Sequence, residues 1–201
     1  MKLALIASSI LSLGARLNRE CRSHRPQGET RSVTCAVELR DVSDKERADG
    51  FIGVLVGEIP LNSDSEVLTM RGRSRPFVER IARGAFSRSL KEDKDIMGFA
   101  GHTDDPLNAF ARIGENLSFT EGENSIQWRA LLPDTQAGRD LKTLAQRKII
   151  RGTSFEFEVI GDSGNKWEKR DDRTDLRTIL EARMLAVNPV AWPAYPESEL
   201  T

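Results

Sequence analysis

Residues 151–160 read RGTSFEFEVI, and this stretch decides the fold. From Ser154 onward the side chains alternate. Ser154, Glu156 and Glu158 fall on one face of an extended chain, and Phe155, Phe157 and Val159 fall on the other. A period of two belongs to a β-strand with one buried face, and Gly152 just ahead of it permits close backbone approach. Working outward, the runs Val33–Leu39, Phe51–Val56, Ile96–Gly101, Phe110–Ile113, Ser125–Leu132 and Thr178–Val187 are apolar, bounded by turn residues, and predict further strands. Two helices are predicted between them. Pro76 opens FVERIARGAFSRSL, in which Phe77, Ile81, Ala85 and Leu90 recur near helical spacing. Asp134 or Thr135 caps the second, with Leu141, Leu144 and Ala145 on one face. Strands dominate, so a mainly β, α+β fold is expected, a barrel or sandwich with flanking helices rather than a doubly wound sheet.

The 201 residues carry 31 acidic and 30 basic side chains, a net charge of −1. That length suits one domain, since domains run to about 100–200 residues. The charge is uneven, however: Lys2, Arg16, Arg19, Arg22, Arg25 and Arg31 outnumber Glu20 and Glu29, so the first 31 residues are basic and the rest of the chain is acidic. The organisation expected is a mobile basic extension over 1–31, one domain over 32–198 and a short tail over 199–201. The opening MKLALIASSILSLGA resembles a short secretory signal, or simply begins the extension. It is too short to span a bilayer, which takes about 20 apolar residues. RSHRPQGETR, residues 22–31, reads as a linker. The balanced overall charge argues against a general nucleic-acid binder or a membrane-surface protein. Cys21 and Cys35 are too few for a disulfide framework, and neither paired CxxC nor HExxH offers a metal site.

With two histidines in the chain, histidine-dependent chemistry falls to His24 or His102. His24 lies in the basic linker, where nothing orients it. His102 ends an apolar strand and opens the turn GHTDDP, a place for an accessible base or for an ordinary surface histidine. Ser154 follows Arg151-Gly152-Thr153 at the start of its strand. It is either a nucleophile that needs a base such as His102, or a common strand-opening serine. Thr153 points to the opposite face and packs or caps. The absence of GxSxG gives no support to an α/β-hydrolase elbow. Glu181, inside TILEARMLAV, reads as a carboxylate in an apolar strand that needs a partner, either His102 or Arg183. Glu156, on the Ser154 face, is the alternative acid, and Asp104 and Asp105 lie too near His102 in sequence to be favoured.

The order His102, Ser154, Glu181 stands among several other segments: ERIARGAFSRSL, GHTDDPLNAFARIG, DTQAGRDLKTLAQRKIIRG, GTSFEF and LEARMLAVNPVAWPAYPESEL. Together, from about Phe51 to Pro196, they resemble the prohead (capsid maturation) serine proteases of tailed bacteriophages, relatives of the herpesvirus assemblins. That resemblance implies a small assemblin-like β-barrel surrounded by helices, with Ser154 as nucleophile, His102 as general base and Glu181 as the acid. It implies acyl-enzyme chemistry with no metal or organic cofactor. The implied substrates are scaffold segments or the major capsid protein, and the protease itself, inside the procapsid in the host bacterial cytoplasm. No nucleic-acid or membrane partner is implied, and a homo-oligomer is compatible. The alternative is a catalytically inactive prohead core or scaffold interaction protein with the same fold.

Overall fold

The computed structural model describes residues 29–33, 37–70, 73–170 and 173–191. Among them are thirteen strands and three α-helices. The strands are β1 (Glu29–Val33), β2 (Glu38–Arg40), β3 (Phe51–Pro60), β4 (Asp64–Leu68), β5 (Phe77–Ile81), β6 (Met97–Phe99), β7 (Ala109–Arg112), β8 (Leu117–Glu121), β9 (Ser125–Pro133), β10 (Gly152–Val159), β11 (Asn165–Lys169), β12 (Asp175–Ile179) and β13 (Ala182–Val190). The helices are α1 (Asp44–Ala48), α2 (Ser87–Glu92) and α3 (Gln136–Gln146). The signal-like segment, His24 and both cysteines lie outside the described residues.

Three sheets form, ordered β1-β10-β13-β6-β7, β11-β12-β5-β4 and β2-β3-β9-β8. The first and third enclose the core. Leu55 and Ile59 of β3 and Ile126, Trp128, Ala130 and Leu132 of β9 cluster with Phe155 and Phe157 of β10 and Met184 of β13. β9 has the alternation of a half-buried strand, its even-numbered side chains inward. β3 is buried on both faces, because Val54 and Val56 form a second cluster with Val42 on its far side. The fold is mainly β, as the alternation predicts, but among the described residues no closed barrel forms. Each sheet keeps two edge strands, β1 and β7 in the first, whereas a barrel has none. An isolated bridge between Ile113 and Leu117 approaches closure between the first and third sheets without extending into a ladder.

Helix α3 forms where its cap predicts. Thr135 is the N-cap, its hydroxyl accepting from Gly138 N–H at 3.2 Å, and Leu141 is buried against the core. The segment after Pro76 differs from expectation: Phe77–Ile81 is strand β5, parallel to β12, and helix begins only at Ser87. Val33–Leu39 was expected to be one strand, yet residues 29–33 already form β1, so the start of the sheet overlaps the expected extension. Thr178–Val187 divides at Leu180–Glu181 into β12 and β13. The charged stretch KWEKRDDRTDLR, residues 166–177, supplies most of β11 and of β12.

Candidate active site

The geometry around Ser154 begins with its neighbours on the opposite face. Thr153 is fully buried and accepts a hydrogen bond from Trp128 Nε1 at 3.3 Å, linking β10 to β9 across the core. Phe155 and Phe157 stack with centroids 5.7 Å apart, and both meet the edge of Phe86. With alternate residues so anchored, Ser154 and Glu156 are held on the other face. Asn188 of β13 stands directly opposite Ser154 and shares that face. Its Nδ2 donates to Glu156 Oε1 at 3.1 Å. Ser154 and Asn188 are fully buried, and Glu156 nearly so. Asn188 Oδ1 is buried with no hydrogen-bond partner among the described residues. An unsatisfied buried carbonyl costs about 1–3 kcal/mol, so an acceptor left open beside Ser154 is itself a functional signal. The sequence reading missed Asn188. The available signal was a lone polar residue in the apolar run AVNPV.

His102 is delivered to the same end of the sheet. β6 runs parallel to β13 with Met97 opposite Ala186 and Gly98 opposite Val187. That pairing ends one residue before Asn188, which stands opposite Ser154 on the far side of β13. β13 therefore separates the two strands, a sheet width of roughly 10 Å. The chain leaves β6 through Gly101, whose φ of +84° suits a residue without Cβ, and His102 follows, exposed. The turn is closed by its own bonds, Thr103 N–H to Gly101 O at 3.1 Å and Asp105 N–H to Thr103 Oγ1 at 3.0 Å. Asp105 also caps the short 3₁₀ turn that follows, accepting from Leu107 N–H at 3.0 Å.

Glu181 is not brought to this site. It sits in the bend between β12 and β13, where its carbonyl accepts from Ile160 N–H at 3.1 Å. Ile160 is six residues along the chain from Ser154, roughly 20 Å of extended strand. The Glu181 side chain is 42% exposed and accepts from Arg88 Nη1 at 3.1 Å. Arg183 pairs instead with Asp93, at 3.4 Å. The expected carboxylate buried in an apolar strand is thus a half-exposed carboxylate in a bend, because flanking leucine and alanine do not reveal a change of direction. Glu156, the alternative acid, is the one beside Ser154.

Over residues 45–201 the chain matches the caudovirus prohead serine protease family. It belongs to that family. No curated protein and no solved structure matches the chain. As a caudovirus prohead serine protease it is a protease of bacteriophage capsid maturation. The matched span of this prohead protease runs from α1 through β13 and leaves β1 and β2 outside it.

Proposed function

We propose that this prohead protease is a serine endopeptidase in which Ser154 is the nucleophile and His102 the general base. The observation that supports this reading is that the strands leading to the two run side by side with β13, towards the same end of one sheet, with the polar trio Ser154, Asn188 and Glu156 in its interior. His102 takes the Ser154 hydroxyl proton as the oxygen attacks a peptide carbonyl. The imidazolium then protonates the departing amine, and water hydrolyses the acyl-enzyme by the same proton path. Backbone amides hold the oxyanion. The third position falls to Asn188, whose open Oδ1 is an acceptor for an imidazole N–H, with its amide oriented by the Glu156 carboxylate. The substrates are scaffold segments or the major capsid protein inside the procapsid, within the host bacterial cytoplasm, and the chain itself.

The test is co-expression with the capsid and scaffold proteins. Ser154→Ala and His102→Gln are expected to lower processing by at least about a thousandfold. Asn188→Ala should cost more than Glu181→Gln, for which a loss under about tenfold is expected. Undiminished processing in Ser154→Ala would remove Ser154 as nucleophile. The complete burial of Ser154 favours a second reading, an inactive prohead core protein with the same fold. That reading predicts no processing by the parent chain itself.

A further inference from the structure

Ser154 is fully buried, so a peptide carbonyl reaches its hydroxyl only if a neighbouring element gives way. β13 is central in the sheet, with β10 on one side and β6 on the other. β1 is an edge strand, five residues long, lying antiparallel along β10 with Ser32 in register with Ser154. It also lies outside the span shared with the family. A strand in that position runs about 4.8 Å from β10, which sets the backbone at Ser32 beside that at Ser154.

β1 is held at its first residue by charge. The Glu29 carboxylate accepts from Arg177 Nη1 at 2.5 Å and from Nη2 at 2.6 Å. Arg177 Nη1 also donates to Glu79 at 3.0 Å, and the guanidinium lies 5.4 Å from the Trp167 ring centre. The two carboxylates differ in burial: the Glu79 side chain is 4% exposed and that of Glu29 is 28%. Withdrawal of Glu29 therefore leaves Arg177 with a buried counter-ion and a vacant fork of donors at the edge of the opened groove.

We propose that the edge of β10 is the peptide-binding edge of this protein, and that β1 is its internal occupant. The external ligand is an extended peptide that adds to β10 as a strand and places an acidic side chain on Arg177, three residues ahead of the residue facing Ser154. Main-chain bonds to β10 supply affinity and the Arg177 contact supplies register. A tethered occupant competes at an effective concentration on the order of millimolar, so β1 holds dilute peptides off the site. The consequence for cleavage rests on Ser154 being the nucleophile; the docking itself does not.

Binding is measured on the full chain carrying Ser154→Ala, with a fluorescent peptide of residues 27–34 as the probe. Glu29→Lys sets a cation against Arg177. The double variant Arg31→Pro/Ser32→Pro removes whichever of these two adjacent main-chain donors faces β10 and disrupts the backbone pairing independently of the ion pair. Each is expected to bind the probe at least tenfold more tightly than its parent, with retained cooperative unfolding as the control for folding. A probe carrying Glu29→Lys is expected to bind at least tenfold more weakly. Equal probe affinity in the parent and both variants would overturn the proposal, and equal affinity for the two probes would remove Arg177 as the acidic subsite. Because these measurements need no cleavage, processing that survives Ser154→Ala would sink the nucleophile assignment without touching them.

Discussion

Gly57 of β3 has no room for a methyl group. A Cβ there would lie 2.5 Å from Thr153 Oγ1 and 2.5 Å from the Trp128 ring, both in the packed interior. Gly57→Ala is therefore expected to destabilise the protein by about 1–3 kcal/mol, read as a lower denaturant midpoint, and to push on the residue beside Ser154. An unchanged midpoint would mean that the indole and Thr153 can move apart freely. At this scale the sequence told much: parity along β10 already put Ser154 and Glu156 on one face and Thr153 on the other. Asn188 was not legible, because a lone amide in an apolar run acquires meaning only when the β10–β13 register sets it opposite Ser154. Glu181 was misread for the complementary reason: its apolar neighbours belong to two strands, and the bend between them exposes it.

Helix α1 grows from the charged run DVSDKERADG, which reads as a loop until its cap is noticed. Ser43 Oγ accepts from Glu46 N–H, and Glu46 Oε2 accepts from Ser43 N–H at 2.8 Å, the reciprocal pattern of a capping box. Glu46 also pairs with Arg129 of β9, tying the helix to the third sheet. The Ser43 amide, first, then Arg129 and the Ser43 hydroxyl, hold the Glu46 carboxyl down at about 2, from an ordinary 4.5. A carboxylate with a lowered folded value stabilises fully above its unfolded value, and that contribution is lost as pH falls through the folded one. Glu46→Gln should therefore unfold more easily than the parent at pH 7, with the difference shrinking between pH 4.5 and 2 in denaturation curves. A gap that stays constant over that window would show that the charge contributes nothing. β5 teaches the opposite lesson about elements. Phe77, Ile81 and Ala85 recur every four residues, a spacing that fits a helical face and is also a multiple of the strand period. The strand wins because β12 and β4 flank it, and Glu79 is accommodated by Arg177, its parallel partner on β12. Nothing local announces a partner from a strand so far along the chain.

Across the whole molecule, Trp128 joins the sheets that enclose the core: fully buried on β9, it packs in the common cluster and donates its N–H to Thr153 of β10. Trp128→Ala is expected to cost about 3–5 kcal/mol. Because its partner adjoins Ser154, protease activity should fall further than the loss of folded protein explains, which a comparison of soluble yield with processing rate would reveal. A variant that melts like the parent would show that the first and third sheets do not depend on this indole. The sequence resemblance implies a closed barrel, yet among the described residues three separate sheets with open edges form. By itself the sequence determined that strands dominate, which face of β10 is apolar, that Thr135 starts the long helix, and that His102 is the one histidine in the body of the chain. Those are local properties: periodicity, capping and residue supply are written in neighbouring positions. Only the tertiary structure decided that Asn188 and not Glu181 lies beside Ser154, that Arg177 neutralises Glu79, that the sheets stay open, and that β1 lies along β10. Strand order and register are set by long-range packing of side chains distant in sequence, and no window of the chain contains both partners.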